Sequence, residues 1–132
     1  MGNSKVITIK QPFASLILKG YKKYEFRTWA TKYRGEILLH AGKSIDKTAL
    51  INRFENYNLG SMPTGVIIGK LKIVDCIKMT PDIAKNLNNQ DRNVYQKLED
   101  WDGYAWKIED VEEFEDYIPV KGQLGLWNYE LT

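Results

Sequence analysis

The chain of 132 residues contains one cysteine, Cys76, and one histidine, His40. A lone cysteine forms no intrachain disulfide, and with a single histidine no cluster has the ligand spacing of a zinc site. The sequence also lacks a glycine-rich phosphate loop followed by Lys-Ser/Thr, and it lacks a dinucleotide-binding fingerprint. We therefore expect no metal and no cofactor, and we interpret His40 and Cys76 as structural residues.

Long apolar runs are absent as well. Residues 1–5 are too polar to open a signal peptide, and no later run approaches the roughly 20 apolar residues that a membrane helix needs. Hydrophobic residues make up 43% of the chain and charged residues 27%, which is typical of a folded globular domain. We predict a single cytoplasmic domain over 1–132, without a membrane segment.

Acidic residues are scarce in the first third of the chain. Residues 1–43 hold nine Lys/Arg and two acids, whereas 44–132 hold ten Lys/Arg and fifteen acids. Nine of those acids lie in 99–116, where a solvated acidic surface is the simplest interpretation and a face for a basic partner protein is the alternative. A basic cluster like the one in 1–43 attracts polyanions even though the net charge of the chain is only +2.

Hydrophobic periodicity predicts short strands that are not regularly interleaved with helices. The predicted strands cover 6–9, 22–29, 37–40, 66–79 with a bend or bulge at Gly69, 104–108, 114–120 and a closing segment at 124–127. The predicted helices cover 12–20, a second segment capped by Ser44 or Asp46 that ends near 58–60, and 81–87, with a loop over 86–92. This order favours an α+β fold, a small, mostly antiparallel β-barrel decorated by two or three short helices.

The candidate site is the basic and aromatic stretch 11–34 together with Lys43. The predicted helix start at Gln11 and Pro12 offers backbone N–H groups to a phosphate, cationic side chains follow, and aromatic rings can stack a base. The binding candidates are Gln11, Lys22, Glu25, Arg27, Trp29, Tyr33, Arg34 and Lys43.

Glu25 has two interpretations. Strand alternation places it on the same face as Lys23 and Arg27. As a general base it would accept a proton, but neighbouring cations favour the ionised carboxylate and weaken it for that role near neutral pH. The alternative, which we favour, is an ion-pair partner that orients the cations.

Several segments resemble the ASCH (activating-signal-cointegrator homology) family. The resemblance lies in 9–14, in the block Gly-x-Lys-x-x-Glu-x-Arg at 20–27, in 33–40, and in 104–106 with 119–122. It extends over nearly the whole chain. It implies a PUA-like β-barrel with a polar cleft, and a binding partner that is RNA, another nucleic acid or a nucleotide, in RNA metabolism or transcription-related regulation.

The resemblance also implies an alternative, since some ASCH proteins are hydrolases. One subgroup removes the acyl group from acetylated cytidine with a Lys, a Thr and a Glu, and another has ribonuclease activity. Lys22 lies at the position of that Lys, whereas Glu25 stands where the subgroup has its Thr. An enzyme built on this chain would use Lys22 and Glu25 as a proton-transfer pair. The ligand, RNA versus DNA, and the oligomeric state stay open.

Overall fold

A computed structural model describes residues 3–130, which form one mixed sheet and three helices. The strands are β1 (Asn3–Gln11), β2 (Tyr24–Arg27), β3 (Gly35–Ile45), β4 (Val66–Lys78), β5 (Tyr104–Pro119) and β6 (Leu126–Glu130). The helices are α1 (Phe13–Leu18), α2 (Lys47–Arg53) and α3 (Pro81–Gln90). Within residues 3–130 none of the helices is long and apolar enough to cross a membrane.

The strand order is β2-β5-β4-β3-β1-β6. Four of the neighbouring pairs are antiparallel, and β1 pairs with β3 in parallel, with Val6 opposite Leu38. The parallel pair arises because the chain crosses over through α1 and β2 before it returns to the sheet as β3. The mostly antiparallel α+β fold predicted from the sequence is confirmed.

The predicted barrel closure is wrong for the described residues, because β2 and β6 form two separate edges of the sheet. Strand β6 pairs with β1 only as far as Ile7, so no strand of the described chain covers that side of β1 beyond this point. Arg27 on β2 reaches into the gap, and its Nη2 donates to the Thr8 carbonyl oxygen at 3.1 Å. The sheet therefore curls until β2 and β1 are joined by a side chain rather than by a backbone ladder.

Several predicted elements have different ends in the structure. The pattern predicts separate strands at 104–108 and 114–120, but β5 is continuous, because its acidic middle pairs with β4, with Glu109 opposite Lys72 and Glu112 opposite Lys70. Helix α2 ends at Arg53, earlier than predicted. Helix α3 continues to Gln90 through the predicted loop, since the buried Leu87 anchors its second half in the core.

Gly69 marks the predicted bend in β4. The register between β4 and β5 shifts between Ile67 and Gly69, and a Cβ at Gly69 would lie 2.3 Å from the Glu112 carbonyl oxygen. Only glycine allows two backbones to approach this closely. The bend or bulge predicted at Gly69 is therefore confirmed as an irregularity in the pairing of β4 with β5.

Two apolar clusters hold the elements around the site. The larger one packs α1 against the sheet and includes Ile17, Leu39 and Trp106. The second packs Leu16 and Phe54 with residues of α3 and the segment after it. Because α1 contributes to both clusters, its C-terminal end is fixed, and with it the start of β2.

Candidate functional site

Lys22, Glu25 and Arg27, three of the candidate residues, converge in the structure. Gly20 takes a φ of +86° just after α1, a conformation that favours glycine, and the following chain folds back so that the Lys22 backbone N–H donates to Leu16. Strand β2 begins two residues later and pairs with β5, with Glu25 opposite Trp106. The helix end and the short strand together bring the three side chains to one place.

The Glu25 carboxylate is shared between the two cations. Nε and Nη2 of Arg27 both lie 2.8 Å from Oε2, and Nζ of Lys22 lies 3.6 Å from Oε1. Glu25 is 8% exposed and Lys22 is 5% exposed. Buried charges of this kind are tolerated when they are paired and hydrogen-bonded. This geometry supports the organising role for Glu25.

Burial lowers the pKa of the Lys22 ammonium to about 8, although Glu25 raises it and Arg27 lowers it further. The ammonium also donates to the Tyr24 carbonyl oxygen and lies 4.3 Å from the centre of the Phe26 ring. A cation–aromatic contact stabilises the charged form of a partly desolvated lysine. Lys22 is therefore a buried cation whose charge changes near neutral pH.

Lys22, Glu25 and Arg27 line a cavity of about 620 Å³, which we call the basic cavity. Its cationic lining residues are Lys10, Lys22, Arg27, Lys43 and Arg53, and Glu25 is the one acid among the described residues that line it. The volume lies in the range of small-molecule sites. The excess of cations favours an anionic ligand.

Arg53, on α2, was not among the residues predicted from the sequence. Its guanidinium lies 4.7 Å from the centre of the Phe54 ring, and its Nε donates to the Asn93 carbonyl oxygen at 2.9 Å. Burial lowers the pKa of Arg53, and Asp46 raises it. The helix pattern of 46–58 indicated α2, but no local signal indicated that its last residue faces Lys22 and Arg27.

The structure places four of the predicted residues outside the basic cavity. Gln11 is fully buried, and its amide donates to Pro63 and accepts from the Ser15 backbone N–H, so it supports α1. Trp29 packs its ring edge-to-face with Trp106, at 4.8 Å between centres.

The other two, the half-buried Tyr33 and the exposed Arg34, lie in the segment between β2 and β3. The Tyr33 hydroxyl donates to the Glu36 carbonyl oxygen, and Arg34 donates to the Thr31 and Tyr33 carbonyl oxygens and lies 3.8 Å from Asp75. Of the aromatic side chains, Phe13 and Phe26 line the cavity in place of Trp29 and Tyr33.

Comparison with known proteins agrees with this architecture. The ASCH domain profile matches residues 7–121. Activating signal cointegrator 1 of Mus musculus is 23% identical and that of Homo sapiens is 22% identical, each alignment covering 94% of this chain. The chain spans 22% of the length of either relative.

Among solved structures, the crystal structure of ASCH from Zymomonas mobilis aligns with a TM-score of 0.59 at 15% identity, covering 88% of this chain and 73% of that one. A point-mutant form of the same protein aligns with a TM-score of 0.58 at 15% identity, covering 88% of this chain and 75% of that one. At this identity the likeness concerns the fold. The profile match spans most of the sequence, and the chain therefore belongs to the ASCH domain family.

Proposed function

We propose that the chain binds RNA or a nucleotide in the basic cavity, as a module of RNA metabolism or transcription-related regulation. The observation that carries the proposal is the set of five cationic side chains around a cavity with a single carboxylate. That carboxylate is already held by Lys22 and Arg27, so it repels an incoming anion less than a free carboxylate does.

Each group of residues has a role in this proposal. Lys22, Arg27 and Arg53 contact phosphate or the edge of a base, since guanidinium and ammonium donors suit both. Glu25 orients the two cations that it binds. Phe13 and Phe26 offer apolar faces to a base, a contact that tolerates any sequence because every base has such a face. Lys10 and Lys43 stand nearer the solvent and neutralise further phosphates.

A salt titration tests this function. We expect a fluorescein-labelled RNA of about ten nucleotides to bind, with a log–log slope against salt of about −0.7 for each phosphate neutralised. Arg27→Ala should weaken binding and reduce the slope, whereas Arg92→Ala, which removes a charge from an exposed residue outside the cavity, should leave both nearly unchanged. Fluorescence anisotropy measures both quantities.

Binding that does not respond to salt contradicts the proposal. Equal affinity of the wild type and Arg27→Ala contradicts it as well. Circular dichroism of each variant separates loss of binding from loss of fold, because Arg27 also joins β2 to β1 through Thr8.

A second candidate function is hydrolysis of RNA or of a modified nucleoside, and the low pKa of Lys22 favours it. At a pH above about 8 the buried amine is largely neutral and can accept a proton. Thr8 and Ser44, which carry hydroxyl groups, are among the residues that line the same cavity, whereas Thr28 is not. The Thr8 hydroxyl oxygen already accepts from Trp127 Nε1 at 3.0 Å, which makes Ser44 the less engaged of the two. An enzyme of this kind would have a lysine base, an orienting carboxylate and a hydroxyl within one cavity.

Chromatography of N4-acetylcytidine and of short RNAs after incubation tests the hydrolase. The rate should rise as pH increases through about 8, because Lys22 then loses its proton, and Lys22→Ala should abolish it. Lys23→Ala, which removes the exposed neighbouring lysine, is the matched control. No product from the wild type, or equal product from Lys22→Ala, excludes this function.

A further inference from the structure

His40, on β3, is 1% exposed and has one ring nitrogen engaged. Its Nε2 lies 2.7 Å from the Val120 carbonyl oxygen. Because a carbonyl oxygen only accepts, we assign the ring hydrogen to Nε2, which makes Nδ1 a lone-pair acceptor. Within residues 3–130 no donor reaches Nδ1. Buried polar atoms without a partner are rare in folded proteins, so this acceptor requires an explanation.

His40 borders a second cavity, of about 300 Å³, which we call the His40 pocket. Lys43 and Lys121 also line it, and no acid does so among the described residues. Gly122 covers one side, and a Cβ at this position would lie 2.9 Å from both His40 Cε1 and Thr8 Oγ1. The same Cβ would lie 3.0 Å from His40 Nδ1, so only a residue without a side chain packs against this side of the ring.

The His40 pocket adjoins the basic cavity. Thr8, Gly42 and Lys43 line both. Lys43 thus borders both spaces, whereas Lys121 lines only the smaller one. In single-stranded nucleic acid, nucleosides alternate with phosphates. Two adjoining cavities could take two nucleosides, and the lysines that border them could bind the phosphates.

We propose that the His40 pocket holds the nucleotide adjacent to the one in the basic cavity, so that the site takes at least two linked nucleotides of a single strand. An N–H or O–H group of this second nucleotide donates to His40 Nδ1, and Lys43 binds the phosphate that links the two. The inference rests on the proposed binding function and extends it to a second subsite.

The test compares cytidine 5′-monophosphate with the dinucleotide pCpC by calorimetry. Wild type should bind pCpC at least about fivefold more tightly, which corresponds to the lower end of the contribution of one additional base. The affinity for the monophosphate measures binding in the basic cavity. The increase in affinity from the monophosphate to the dinucleotide, which we call the pCpC gain, measures binding in the His40 pocket.

Two substitutions of His40 separate its two nitrogens. His40→Gln places an amide N–H near Nε2, so it keeps the bond to Val120 and removes the acceptor. It should lose the pCpC gain and bind the monophosphate as before. His40→Asn places a carbonyl oxygen near Nδ1 and should keep most of the gain. Lys121→Gln changes an exposed residue of the pocket and should reduce the gain without disturbing the core.

The outcomes are distinguishable. If neither ligand binds wild type, the proposed function fails and the inference with it. If the monophosphate binds but pCpC gains nothing, or gains equally in His40→Gln, the second subsite is refuted while the basic cavity stands. If His40→Gln does not fold, an unchanged gain in Lys121→Gln refutes the subsite. Wild type is also tested with deoxy-pCpC: a lost gain identifies the ribose 2′-hydroxyl as the donor to Nδ1, and an equal gain excludes that hydroxyl and leaves a base amino group or the terminal 3′-hydroxyl.

Discussion

Raising the pH from 7 to 10 should stabilise the fold through Lys22. The ordinary lysine pKa of 10.5 applies to the unfolded chain, whereas burial lowers the pKa of folded Lys22 to about 8. Between these two values the unfolded state binds more protons than the folded state, so the free energy of unfolding rises with pH. The stabilisation is complete above the unfolded pKa and is lost as the pH falls through about 8.

The size of the effect follows from the difference between the two pKa values. At about 1.4 kcal/mol per pKa unit, a change from 10.5 to about 8 corresponds to about 3 kcal/mol, most of which is reached by pH 10. The conversion is appropriate because the side chain is almost completely buried. For a small domain this is a large part of the total stability.

Lys22→Met provides the reference for the assay. Urea unfolding of both proteins is followed at several pH values from 7 to 10, and the difference in free energy of unfolding is plotted. The subtraction matters because burial raises the pKa of Tyr95 to about 12, which lowers stability when unfolded tyrosine begins to ionise near pH 10 in both proteins. Parallel curves for wild type and Lys22→Met would refute the reasoning, because they would mean that Lys22 titrates alike in both states.

Three further predictions concern neighbouring features. Glu25→Gln should move the titration of Lys22 below about 8, because Glu25 raises the Lys22 pKa, and the same unfolding curves should then begin to rise at lower pH. Gly69→Ala should destabilise the protein by at least about 1–3 kcal/mol, since its Cβ would meet the Glu112 carbonyl oxygen, and urea unfolding measures this. Thr80→Ala should cost about 1 kcal/mol in the same assay, because the Thr80 hydroxyl accepts from the Ile83 N–H at the start of α3.

The part of the site that the sequence predicted is local in the chain. Lys22, Glu25 and Arg27 lie within six residues on a helix end and a strand, and strand alternation places the last two on one face. Arg53 joins them from α2 only through packing of distant segments. Trp29 and Arg34 lie in the segment between β2 and β3, outside the basic cavity, and their residue types do not indicate which way this segment runs.

The fold, like the site, has local features that the sequence predicts and long-range features that it does not. Strand alternation, the glycine after α1 and the bend at Gly69 follow from side-chain volume and backbone freedom, which the sequence expresses residue by residue. Whether the sheet closes depends instead on where β6 stops pairing with β1 and on how Arg27 reaches Thr8. These contacts join residues that are far apart in the sequence, and no short sequence pattern predicts them.

The central claim is that the basic cavity, and not positive charge in general, binds the ligand. Arg53→Gln and Arg34→Gln each remove one positive charge. Arg53 lines the cavity, whereas Arg34, also a binding candidate from the sequence, is an exposed residue outside it. We predict that Arg53→Gln weakens RNA binding by at least about fivefold, corresponding to about 1 kcal/mol, and that Arg34→Gln stays close to wild type. Equal losses in the two folded variants would contradict the claim.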